Sequence, residues 1–129
     1  MQSAQSDLFG TVPSAYLPIW DEPGRVNAQQ LAKFLDFTKQ DVEGAARIAP
    51  RTFAYGQPLP KVVEDRLLEW AVVLELVAGY FKGDVEKTLL WFKVPNPLLG
   101  DMPPREMIRI GRARKLARII SDALQGITP

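Results

Sequence analysis

The side chains that usually carry covalent or metal chemistry are missing from this sequence. Its 129 residues include no Cys and no His. That removes disulfides, thiolate nucleophiles, Ser-His and Cys-His dyads, and zinc sites of the usual ligand types. Carboxylate chemistry with a hard cation is the remaining route to catalysis. The expectation is therefore a chain that catalyses nothing and needs no cofactor or metal.

Recognition chemistry is better represented. Across Trp91–Gly111, WFKVPNPLLGDMPPREMIRIG, Pro95, Pro97, Pro103 and Pro104 fix φ and disfavour helix at the residue before each. Lys93–Asp101 is thus expected to be a rigid, non-helical connector with little entropy to lose on binding. It carries Leu98, Leu99 and Met102 where a solvated loop is normally polar. Two readings stay open: these residues cap the chain's own core, or they form an exposed apolar anchor for a partner. Beyond the connector, helical steps put Arg105, Arg109 and Arg112 on one stripe and Arg114 and Arg118 nearly opposite. The net charge is +1, yet residues 103–129 carry six bases and two acids. Such asymmetry points to an acidic partner or a phosphate-bearing surface, or else to a solvated helix face.

The elements that must position these residues read as helices. Residues 1–26 hold Pro13, Pro18, Pro23 and Gly24 among Leu8, Phe9, Tyr16, Leu17, Ile19 and Trp20 without period, an arm that should pack on the body or on a second subunit. Asn27 caps a helix over Ala28–Asp36, and Thr38 with Asp41 opens a second over Lys39–Arg47. Pro50 suits the first turn of a third, through Tyr55. Three short helices with alanines at the crossing form the pattern of a helix-turn-helix over residues 27–59. In that reading Pro50–Tyr55 is the recognition helix, offering Arg51, Thr52 and Tyr55 to a DNA groove. Thr38, Lys39 and Gln40 would lie near a phosphate at the second helix's start, with Arg47 at its end. The alternative is a helical trio that only packs.

Residues 60–129 then begin with the longest helix, from Pro60 to about Phe81. Its second half, 70–81, has Glu75 as the only charge and apolar side chains nearly all round, as expected of a core element shared with a dimer interface. Asp84 caps a helix to about Phe92, and a last helix runs from Pro104 to about Leu124 with a break near Gly111. No strand is required, so the fold reads as all-α. With 47% hydrophobic and 24% charged residues the chain is globular. No apolar run is long enough to span a bilayer and the first residues do not resemble a signal peptide, so the expected location is the cytoplasm.

From Val26 to about Ile120 the chain resembles antitoxins of the Xre/MbcA/ParS type. The residues that carry the resemblance are GDVEKTLLWF at 83–92, PNPLLGDMPPREMIRIGR at 95–112 and KLARII at 115–120, in that order after a helical region of helix-turn-helix length. The resemblance implies an antitoxin that binds and neutralises a RES-domain toxin, a class that depletes cellular NAD. It also implies homodimerisation and autorepression of operator DNA through the helix-turn-helix. Toxin-facing positions carried over are Trp91, Asn96, Pro97, Leu98, Gly100, Pro104, Glu106 and Met107. The anchors Leu99 and Met102 and the charges Arg105, Arg109 and Arg112 join them from the residue reading. Ile110, Gly111 and Arg112 depart from the family's pattern. A stand-alone dimeric helix-turn-helix regulator is the alternative.

Overall fold

The computed structural model describes residues 15–126, and the expectations for Leu8, Phe9 and Pro13 lie outside them. The order is β1 (Trp20–Glu22), β2 (Arg25–Val26), α1 (Ala28–Leu35), α2 (Lys39–Ala46), α3 (Lys61–Tyr80), α4 (Val85–Lys93), a 3-10 turn at Pro97–Leu99, α5 (Pro104–Arg109) and α6 (Ala113–Leu124). The chain is mostly helical, consistent with the all-α expectation, and adds one small antiparallel hairpin in which β1 and β2 pair with Trp20 opposite Val26. Pro23 followed by Gly24 at φ +79° supplies the tight turn. Two strands of three and two residues are too short to show a period of two.

The expected caps form. Asn27 Oδ1 accepts from the Gln30 N–H at 2.9 Å, and Thr38 and Asp41 make a reciprocal capping box. Asp84 caps α4 through the Lys87 N–H. The expected break in the last helix falls between α5 and α6, with Gly111 at φ +85°. A Cβ on Gly111 would stand 2.9 Å from Arg47 Nε, so the guanidinium lies directly against this bend.

Two expectations are corrected. The recognition helix over Pro50–Tyr55 is absent, and residues 47–60 form turns and irregular backbone. Arg47 ends α2 in the left-handed region. Arg51 is also left-handed, at φ 66°, with its N–H donating to Glu43 Oε2 at 3.0 Å. A helix cannot propagate through that conformation, so the buried Glu43 carboxylate replaces the first turn it would have had. The connector, in turn, contains one turn of 3-10 helix where a non-helical backbone was expected.

The core is continuous across residues 59 and 60: Leu31, Leu35 and Val42 join Leu67, Trp70, Leu74, Phe92, Ile108 and Leu116 in one cluster. α3 is its axis. Trp70 through Glu75, Val77 and Ala78 are buried by the chain itself, so most of the apolar girdle is internal core. The arm supplies part of that cover. Glu75, 4% exposed, accepts from the N–H groups of Tyr16 (3.0 Å) and Leu17 (3.1 Å) and from Trp20 Nε1 (2.7 Å), clasping residues 16–20 onto α3. Burial pushes the Glu75 pKa up against those three hydrogen bonds, which favour the carboxylate. No helix among the described residues is long and apolar enough to cross a membrane.

Candidate protein-interaction site

The connector is closed into a ring by one asparagine. Asn96 Oδ1 accepts from the Leu98 N–H (2.9 Å) and its carbonyl accepts from Leu99 (2.9 Å) and Asp101 (3.0 Å). Its own N–H donates to the Met102 carbonyl at 3.2 Å, making an isolated antiparallel bridge. Gly100 and Asp101 turn the chain back at φ 64° and 67°. Almost every polar group at the ring's neck is thus satisfied internally, and the tip is set by hydrogen bonds as well as by prolines.

This ring divides the two readings of its apolar residues. Leu99 and Met102 are half-buried and pack on the core, whereas Leu98 at the tip is 62% exposed. Leu98 and Leu99 border an apolar groove of about 220 Å³ whose other walls are Tyr80 and Phe81 at the end of α3, Trp91 of α4, and Ile119, Ala123 and Leu124 of α6. Tyr80 is 66% exposed and Leu124 43%. Trp91 is held edge-on against the buried Phe92, with ring centroids 5.0 Å apart. Large apolar side chains left exposed around a concavity are the surface signature of a partner site.

The structure brings Trp91, Asn96, Leu98 and Leu99 together at that groove and places the other candidates elsewhere. Pro97 and Gly100 flank Leu98 on the exposed ring. Pro104 and Met107 are buried in the chain's own core. Glu106 holds Arg109 at 2.6 Å and Arg105 at 4.0 Å. Arg105 Nη1 donates to the Leu35 carbonyl at 3.2 Å and meets Asp36 at 3.4 Å, so it finishes the C-terminus of α1 rather than lining the groove. Arg112 is exposed at the start of α6. Tyr80, Phe81, Ile119 and Leu124 were not anticipated. In a helix apolar all round, the sequence does not say which face stays uncovered.

The expected DNA-facing residues are dispersed. Thr38 spends its hydroxyl on the α2 cap. Lys39 Nζ pairs with Glu43 at 3.1 Å and sits 4.8 Å over the Phe53 ring, so little of its charge faces outward. Those contacts hold the Glu43 carboxyl below its ordinary value, the Arg51 N–H contributing most and Lys39 next. Thr52 Oγ1 donates to the Ala49 carbonyl, and Tyr55 stacks edge-on against Phe53. Burial pushes the Tyr55 phenol up, and the Glu43 charge adds to it. Gln40, Arg47 and Arg51 are the exposed side chains left in this set besides Thr38. No group of three or more carboxylates among the described residues is placed to hold a metal ion.

In comparisons with known proteins, no family model, no curated protein and no solved structure matches this chain.

Proposed function

We propose that this chain is a toxin-neutralising binding protein, an antitoxin whose partner is a RES-domain, NAD-depleting toxin, and that it acts as a cytoplasmic homodimer. The observation that carries the binding role is Leu98, 62% exposed on a ring closed by Asn96 and placed at the edge of the apolar groove with Tyr80. A preorganised apolar tip loses little entropy on docking, and burying one leucine yields about 1–2 kcal/mol. The identity of the partner rests on the resemblance of residues 83–120 to the antitoxin family. Neutralisation on this reading is steric: the antitoxin covers the toxin and does no chemistry of its own.

Autorepression is the second part of the proposal. It rests on α1 and α2, two eight-residue helices joined by the tight Asp36–Thr38 turn, with Gln40 exposed on α2 and Arg47 exposed at its C-terminal cap. The same helix pair would serve a stand-alone regulator. Co-expression with a RES-domain toxin separates the two: the antitoxin restores growth and the NAD level, and the Leu98→Asp variant fails to while remaining folded. A folded Leu98→Asp chain that still neutralises removes the groove from the proposal. Failure of the wild-type chain to protect against any such toxin, with retained promoter binding, leaves the regulator.

A further inference from the structure

A second concavity lies away from the apolar groove and has the opposite chemistry. It is a cleft of about 490 Å³ between the end of α2, the middle of α3 and the start of α6, and Arg47, Arg66, Arg112, Arg114 and Lys115 line it with a single carboxylate, Glu69. Glu69 pairs with Arg114, its Oε2 3.2 Å from Arg114 Nε. Arg66 Nε reaches the Ala46 carbonyl at 3.4 Å, and Arg47 lies against Gly111. Among the described residues no carboxylate forms an ion pair with Arg47, Arg66, Arg112 or Lys115. Cations gathered in a concavity repel one another more strongly than the same charges spread over a convex surface, and a bound anion relieves that repulsion.

We infer that this five-cation cleft binds the phosphodiester backbone of nucleic acid, without reading its sequence. The apolar walls, Ala45, Trp70 and Ala113, are all buried, so the cleft exposes no anchor with which to grip an acidic peptide. What it exposes is charge. The exposed Arg118 continues the Arg114 stripe one turn further along α6, extending the cationic surface beyond the space one phosphate group would fill. This also accounts for the excess of bases in residues 103–129, which the groove does not use. It shares Arg47 with the helix-turn-helix reading but draws its other cations from α3, α6 and the bend before α6, and it holds or fails independently of the toxin.

The test is fluorescence anisotropy of the full chain with a labelled short duplex of arbitrary sequence, titrated across salt. Four phosphate contacts predict about a 150-fold loss of affinity between roughly 50 and 200 mM salt. The double variant Arg112→Gln, Lys115→Gln removes two contacts, so its affinity at low salt falls and its loss over the same range shrinks to about 12-fold. Lys87→Gln, Lys93→Gln on α4 removes the same charge elsewhere and behaves as wild type. Circular dichroism melts check that both variants are folded. Equal affinity and salt dependence in the two double variants overturns the site. Displacement of the duplex by polyglutamate at equal charge concentration reassigns the cleft to an acidic protein and overturns the nucleic-acid reading.

Discussion

Glu75 offers the most direct test of how the arm is held. Changing it to Ala removes the acceptor for three donors. Tyr16 is 46% exposed, so water can take over its N–H. The Leu17 N–H and the Trp20 indole N–H are left without partners in a mostly apolar setting, at about 1–3 kcal/mol each. Against that, the substitution relieves a carboxylate whose burial is unfavourable enough to raise its pKa. The balance is a loss of about 2–3 kcal/mol, which for a chain of this size lowers Tm by roughly 10 °C. Glu75→Gln keeps one acceptor oxygen but turns an amide N–H₂ toward groups that can only donate, so it falls between. Because the folded-state pKa is raised, the folded chain binds this proton more tightly than the unfolded one. The contribution of Glu75 is therefore greatest below its ordinary value of 4.5 and declines as pH climbs through the raised value, making the advantage of wild type over Gln larger at pH 5 than at pH 7. Calorimetry gives the melts, and hydrogen exchange at the Leu17 amide reports the arm itself. A Glu75→Ala melt within about 2 °C of wild type with unchanged Leu17 protection would refute the clasp.

Three further outcomes follow from the geometry. Leu98→Asp changes the denaturation free energy by less than about 1 kcal/mol, because little of that side chain is buried, while abolishing partner binding in a pull-down; a loss of several kcal/mol places Leu98 in the core. The Glu43 pKa is lowered on folding, so its contribution is present above 4.5 and is lost as pH falls through the lowered folded value; denaturation from pH 7 to pH 3 shows this acid limb, and Glu43→Gln flattens it. Gly111→Ala forces a left-handed alanine against Arg47, costing about 1 kcal/mol of backbone strain plus the clash, and Arg47→Ala in the same chain recovers the clash portion alone in a double-mutant cycle.

The helices were legible because their signals are local: Asn27, Thr38 and Asp84 mark starts, and the positive φ at Asp36 and Gly111 falls where the patterns stop. The hairpin had a signal too, since Glu22-Pro23-Gly24-Arg25 is a turn sequence, but strands this short do not alternate visibly. Pro50 suits the first turn of a helix, yet none forms over Pro50–Tyr55. What overrides it is Glu43, whose capture of the Arg51 N–H appears only once α2 is folded. Of the site, Trp91 and Leu98 could be found on one stretch of chain. Tyr80 and Leu124 reach the groove from elements far apart in sequence, and nothing local marks them. Likewise the Arg105, Arg109 and Arg112 stripe needs one continuous helix, whereas α5 ends at Arg109 and Arg112 lies in the break before α6, and Arg105 turns to a carbonyl seventy positions earlier.

That last bond has a consequence for how the chain is made. Arg105 finishes the C-terminus of α1 across 70 residues, and Glu75 secures the arm across 55 to 59. Synthesis at roughly 5–20 residues per second leaves α1 waiting about 4–14 s for Arg105 to be translated. During that interval Leu31, Phe34 and Leu35 gain their neighbours from α3 and α4 only as those helices are made. The first elements of this chain are therefore made before the side chains that finish them, and a chain cut short before Arg105 leaves the C-terminus of α1 without its guanidinium cap.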